Sequence, residues 1–188
     1  LESLNTPAYK IASFEITHLP LIKYVAKTLK PIILSTGLAN VDEITQAIET
    51  ARDNGCKELA VLHCVSAYPA PVDQINLATI HNLAKRFNCV VGLSDHTLGT
   101  AVAIISVAMG ASFIEKHVTL SRHDKGPDSE FSLEPAELTQ LCTDANIAWQ
   151  AIGKPNYDIT EAEKQNLKFR RSLYFVKDMQ VGDVITDD

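Results

Sequence analysis

Two short clusters hold the residues most suited to chemistry. Gly92-Leu93-Ser94-Asp95-His96-Thr97-Leu98-Gly99 closes one apolar run, and Ile114-Glu115-Lys116-His117 closes the next, with His117 standing 21 residues after His96. Imidazoles on neighbouring strand ends, with the Glu115 carboxylate two residues before the second, can hold a divalent metal that remains open to solvent. A metal so placed polarises a carbonyl oxygen. A single histidine near a strand end is more often a hydrogen-bonded structural residue; the pair, in matching contexts, points to a site. His96 and His117 are therefore candidate metal ligands. Glu115 shares a strand face with His117 by alternation, which suits it to proton transfer behind the metal or through a bound water. Lys116 faces the other way, so a Schiff-base role is disfavoured.

The elements that must position these groups follow one alternation. Apolar or β-branched runs occur at Tyr9 to Ala12, Pro31 to Leu34, Leu59 to Leu62, Cys89 to Leu93 and Ala111 to Ile114. Helical stripes separate them: Leu21, Ile22, Val25 and Leu29; then Val41, Ile44, Ala47, Ile48 and Ala51, stopped at Gly55; then Ile80, Leu83, Ala84 and Phe87. Ala101 to Met109 is almost wholly apolar and reads as a helix buried on most sides. Pro135 opens a helix through Ala151, with Leu138, Leu141, Ala145, Ala148 and Ile152 as its stripe.

Spacings of roughly 22 to 30 residues between runs suit β-α repeats of a parallel sheet. No GxGxxG follows the first run, which disfavours a dinucleotide-binding sheet. Polar residues end every run: Lys10, Ser13 and Glu15; Ser35 and Thr36; His63, Ser66 and Tyr68; Ser94 and His96; Glu115 and His117. A doubly wound sheet gathers ligands mainly at one switch point, whereas a barrel builds its site from every strand end. The fold class is α/β, of the (β/α)8 TIM-barrel type. A closed barrel needs eight strands and about 250 residues, so the five runs read as part of one, the segment resembling a piece of a longer protein.

Composition narrows the function classes. The 188 residues are 46% hydrophobic with a net charge of -6, which disfavours nucleic acid or an anionic membrane as partner. No apolar run approaches the roughly 20 residues of a bilayer span, and no signal-peptide pattern opens the chain. Cys56, Cys64, Cys89 and Cys142 form no CxxC pair and read as reduced, Cys64 and Cys89 as small buried hydrophobes. A cytoplasmic location fits these features.

Further motifs complete a family pattern. Tyr9-Lys10-Ile11-Ala12-Ser13-Phe14-Glu15-Ile16-Thr17, Leu34-Ser35-Thr36-Gly37, His63-Cys64-Val65-Ser66-Ala67-Tyr68-Pro69-Ala70-Pro71, Gly126-Pro127-Asp128, Phe131-Ser132-Leu133-Glu134-Pro135 and Arg170-Arg171-Ser172-Leu173 join the two clusters in order through nearly the whole chain. Together they resemble the sialic acid synthase family, the Phe14 to Thr17 wording being more similar to pseudaminic acid synthases.

The resemblance implies condensation of phosphoenolpyruvate with the open-chain aldehyde of an acetamido sugar, giving a nine-carbon sialic-acid-like sugar and phosphate. It implies barrel strands four to eight within residues 1–153, and in 154–188 a linker and the start of a C-terminal antifreeze-like (SAF) domain. In the full protein that domain would reach into the active site of a homodimer partner. Lys10, Ser13, Ser35 and Ser94 match positions that take phosphoenolpyruvate, whose phosphate and carboxylate need cations and hydroxyl donors. Tyr68 and Asp128 match positions that hold the sugar. Ser66 stands where some relatives have asparagine. The metal would be Mn²⁺, with Mg²⁺ or Co²⁺ as alternatives.

Plainer readings exist for several of these residues. Ser35 and Ser94 also suit helix caps, and Asp128 a turn. His18, His81 and His123 read as solvated, and His63 as lining the cavity. As a whole, the chain also fits an inactive fragment of such a synthase, whose open sheet would leave unpaired edges, or another phosphoenolpyruvate-condensing barrel such as a sugar-phosphate synthase.

Overall fold

The computed structural model describes residues 1–186. The chain divides into two compact units, Leu1–Gly153 and Lys154–Asp188. In the first, five parallel strands lie side by side in chain order: β1 (Tyr9–Ile11), β2 (Ile32–Ser35), β3 (Leu59–Cys64), β4 (Val90–Asp95) and β5 (Phe113–Lys116). Helices α1 (Leu19–Ala26), α2 (Val41–Asp53), α3 (Ala78–Phe87) and α4 (Ala101–Ala108) connect successive strands, and α5 (Pro135–Ile152) follows β5. Sequential order with every neighbour parallel makes a curled half-barrel; a doubly wound sheet would reverse its order at a switch point.

The ladder carries the strands further than their apolar runs suggest. β3 extends to Cys64, β4 to Asp95 and β5 to Lys116, because Cys64 pairs with Ser94 and Ser94 with Glu115 in register. Backbone hydrogen bonds are indifferent to side-chain polarity, so Ser35, Cys64, Ser94 and Glu115 lie inside the strands, and His96 and His117 immediately follow the ends of β4 and β5.

Alternation divides the strand residues between two faces. Ile11, Leu34, Val61, Val91 and Leu93 turn toward the helices and pack with Ile22, Ile44, Ile48, Ile80 and Leu83. All six residues of β3 are buried, as a central parallel strand requires. Truncating a side chain such as Ile48, fully enclosed in this core, would cost about 2–5 kcal/mol. Caps fix the helix starts: the Asn40 side chain accepts from the backbone N–H of Asp42 and Glu43, while Glu43 accepts from Asn40 N. Glu137 accepts in the same way from Glu134 N at the start of α5.

Three helical expectations change. Leu29 lies beyond α1 with φ at 61° and its side chain exposed, because the chain turns there into β2. On α4, Val102, Ala103, Ser106 and Val107 are buried but Ile105 is half exposed, so one face only is covered. The α5 stripe is the covered side of the helix, with Leu141 buried and Leu138, Ala145 and Ala148 half-buried where α5 packs along α4, but Ile152 at its end is exposed.

In the second unit, Glu163 accepts from Thr160 N and Thr160 Oγ1 at the start of a 3-10 helix, Glu161–Phe169. The run 172–176 forms no strand, and Leu173, Tyr174, Phe175 and Val176 are exposed. Among the described residues, no helix is long and apolar enough to cross a membrane.

Candidate active site

With the helices on one side, alternation puts Lys10, Cys64, Ser94 and Glu115 on the concave face of the sheet. Ser94 Oγ donates to Glu115 Oε1 at 2.6 Å, and Lys10 Nζ stands 3.5 Å from Glu115 Oε2. Lys10 also donates to the carbonyl of Ile11. Glu115 is thus tied to β1 and β4. No hydrogen bond joins it to His96 or His117 among the described residues.

A second group lies beside the ends of β1, β2 and β3. Ser13 Oγ accepts from Gly37 N at 3.1 Å and donates to Cys64 Sγ at 3.2 Å. Cys64 Sγ also lies 3.8 Å from Ser66 Oγ and 3.8 Å from His96 Nδ1. Gly37 lets these chains approach: a Cβ there would overlap Ser66 Oγ and stand 2.8 Å from Ser13 Oγ. Ser35, at the tip of β2, is buried, and its Oγ has no partner. An enclosed hydroxyl without a hydrogen bond calls for an explanation, and a ligand is one. It caps no helix: Asn40 is the residue that caps α2.

The imidazoles meet at the same end of the sheet. Their ring centroids are 5.3 Å apart, with Tyr68 against His96 at 4.4 Å and Phe131 against His117 at 5.0 Å. His96 Nδ1 lies 3.0 Å from the carbonyl of Val65, which sets Nδ1 as the protonated nitrogen and leaves the Nε2 lone pair available. His117 Nδ1 lies 3.5 Å from the Asp128 carboxylate. A carbonyl or carboxylate at one ring nitrogen is the usual support for a metal on the other. The donor set therefore fits a divalent cation. Among the described residues no third His, Cys, Asp or Glu joins them to ligate a metal. The remaining positions would fall to water and substrate oxygens, as in an open catalytic site.

Burial shapes the titration of the neighbouring groups. Burial pushes the Cys64 thiol up, but hydrogen bonds from His96 and Ser13, with the His96 charge, outweigh it and leave the thiol below its ordinary value. For His96, burial pushes down, while the bonds to Cys64 and Val65 and the nearby negative charges prevail and raise it. Cys64 is reduced and buried, as read from the sequence, and its sulfur is also a hydrogen-bond partner of Ser13.

The structure thus gathers Lys10, Ser94 and Glu115 in one cluster, Ser13 and Ser66 around Cys64, and Tyr68, His96, His117 and Asp128 in another, with Ser35 at the β2 tip. His63 departs from expectation: next to Cys64 on β3, it points to the helix side, where Nε2 meets the carbonyl of Ile75. His18, His81 and His123 are exposed.

Sequence reasoning missed Cys64, Gly37 and Phe131 as parts of the site. Alternation along β3 was the signal for Cys64, since it shares a row with Ser94. Phe131 had none. Its place depends on the chain returning over β5, where Leu133 N donates to the carbonyl of His117 and Thr119 N to that of Leu133.

Comparison with known proteins agrees with this geometry. The model of the NeuB family matches residues 1–157. The chain is 41% identical, over its whole length, to an N,N'-diacetyllegionaminic acid synthase of Campylobacter jejuni, covering 57% of it. It is 40% identical, again throughout, to a pseudaminic acid synthase of Helicobacter pylori, covering 56%. In the crystal structure of an N-acetylneuraminic acid (sialic acid) synthetase from Leptospira borgpetersenii, 60% of the chain superposes on 92% of this one, with a TM-score of 0.82 and 33% identity. The chain spans somewhat over half the length of these curated relatives. A family match that covers most of its residues, on a half-barrel with both histidine-bearing strand ends in place, makes this chain a member of the NeuB family.

Proposed function

We propose that the protein condenses phosphoenolpyruvate with the open-chain aldehyde of an N-acetylated amino sugar. The methylene carbon of phosphoenolpyruvate bonds to the aldehyde carbon, water is taken up, phosphate leaves, and a nine-carbon sialic-acid-like sugar results. What carries the reading is the convergence of the Lys10–Glu115–Ser94 cluster and the two supported imidazoles on one face of the sheet. The synthase names of the relatives support it.

Lys10 supplies the fixed cation for a doubly anionic substrate, and the hydroxyls of Ser13, Ser35, Ser66 and Ser94 supply donors around it. The unpartnered Ser35 Oγ is the donor most in need of such a ligand. Tyr68 and Asp128, beside the imidazoles, hold the sugar. His96 and His117 would hold the divalent metal, Mn²⁺ with Mg²⁺ or Co²⁺ as alternatives, which when bound supplies Lewis-acid polarisation of the aldehyde oxygen. Glu115, kept on the site face by Ser94 and Lys10, is the group assigned to proton transfer.

For the acceptor, the Phe14 to Thr17 wording favours a 2,4-diacetamido sugar of the pseudaminic type over N-acetylmannosamine. The test is incubation of the protein with phosphoenolpyruvate, Mn²⁺ and each sugar in turn, following phosphate release and product mass. A nine-carbon keto acid with stoichiometric phosphate supports the reading. Phosphate without a coupled product, or no turnover with any acetamido sugar, contradicts it. The reading extends to a homodimer in the cytoplasm, which sedimentation and fractionation would test.

A further inference from the structure

Behind the imidazoles, on the helix side of the sheet, lies an ion pair that the proposed chemistry does not use. Lys116 Nζ donates to Asp95 Oδ2 at 2.8 Å, and the two side chains are 3% and 0% exposed. Asp95 and Lys116 are register partners on β4 and β5, and each immediately precedes one of the histidines. The contacts continue past the strands. Lys116 Nζ also donates to the carbonyl of Thr97, and Thr97 N donates to Asp95 Oδ1 at 2.9 Å. His96 is therefore held on both sides in sequence, by Asp95 and by Thr97, and both are tied to the residue before His117.

Stability alone does not account for such a pair. Removing two charges from water costs several kcal/mol per ion, and apolar replacements of similar size are often no less stable. What directed charge-assisted bonds add is geometry: they fix how two backbones stand relative to each other.

We propose that Asp95 and Lys116 are positioning residues for the metal site, clamping the ends of β4 and β5 so that His96 and His117 face one shared divalent cation. The proposal rests on the metal reading above. The clamp acts through the strand ends and touches no substrate.

The test measures Mn²⁺ affinity, by the paramagnetic resonance of free Mn²⁺, together with thermal unfolding. It compares the unaltered protein with Lys116→Met and with Asp95→Asn/Lys116→Met. The single variant leaves Asp95 buried and uncompensated, so it should lose both stability and affinity. The double variant removes both charges and keeps an acceptor for Thr97 N. It should remain folded with little loss of thermal midpoint, yet bind Mn²⁺ about 10- to 100-fold more weakly. If Lys116→Met does not fold, the double variant decides alone. Mn²⁺ affinity in the double variant within about twofold of the unaltered protein would overturn the clamp and leave the metal reading standing. No Mn²⁺ binding by the unaltered protein would overturn both.

Discussion

Lys10 and Glu115 lie on the first and last strands of the sheet, yet Lys10 Nζ is 3.5 Å from Glu115 Oε2. Neighbouring strands are about 4.8 Å apart, so four steps across a flat sheet would separate their backbones by about 19 Å, more than the two side chains can bridge. The pair is a chord across a half-barrel. It shows that the curl of the sheet, rather than nearness in sequence, brings a cation and a carboxylate to the same place.

Both partners are partly exposed, so the pair contributes little to folding, below about 1 kcal/mol. Lys10→Met should leave the thermal midpoint nearly unchanged. If Lys10 binds phosphoenolpyruvate, loss of a charge-assisted contact should raise the KM for that substrate by about 10- to 100-fold. Steady-state kinetics beside a melting curve would check this; an unchanged KM removes Lys10 from the binding site.

Ser35 makes the opposite trade. Its buried hydroxyl has no partner in the protein, so Ser35→Ala should stabilise the fold by about 1 kcal/mol while weakening phosphoenolpyruvate binding. Urea midpoints and equilibrium binding together read both changes. A destabilised variant would mean that the hydroxyl is already satisfied.

Gly37 is required by proximity. Ser13 Oγ is engaged by Gly37 N and Cys64, so it cannot readily swing aside to admit a methyl group. Gly37→Ala should cost about 1–3 kcal/mol through overpacking and lower phosphoenolpyruvate affinity with it. Normal stability by chemical denaturation would show that the serines move freely.

His63 gives the fold a pH dependence from the opposite face of the sheet to the candidate site. Burial holds its pKa below the ordinary 6.5, only partly offset by the Ile75 carbonyl. In the unfolded chain it takes up a proton as pH falls through about 6.5, while the folded state stays neutral. Acid therefore favours the unfolded state, and stability declines from about that pH down to the depressed folded value. Replacing the group in His63→Gln should flatten this part of the curve. Thermal midpoints taken in steps from neutral to mildly acid pH would show it, and parallel curves for the two proteins would exclude His63 as the cause.

Much of this arrangement is legible in the sequence for a simple reason. Each buried strand must be apolar until it reaches the site, so the switch from Ile11, Leu34 and Leu93 to Ser13, Ser35 and Ser94 marks the functional end of the sheet. Contacts set by the curl or by returning loops are not legible. The Lys10–Glu115 pair needs the curl of the whole sheet, and Phe131 meets His117 where the chain returns through the bridge between Val118 and Leu133. Cys64 was hidden by its own type: a cysteine beside an apolar run reads as a small buried hydrophobe, although it shares a row with Ser94. The stripe on α5 marks the covered side but overstates its extent, since Ile152 is exposed. Periodicity shows which face of a helix is apolar, but not how much of that face is covered.

The claim on which the chemistry depends is that His96 and His117 hold a divalent cation beside a phosphoenolpyruvate pocket. Calorimetric titration of Mn²⁺ into the protein, with and without phosphoenolpyruvate, tests it directly against His96→Ala/His117→Ala. The expected result is one Mn²⁺ per chain, lost in the double variant while its circular dichroism is retained. Equal Mn²⁺ binding by the unaltered protein and the folded double variant, or none by either, would contradict it.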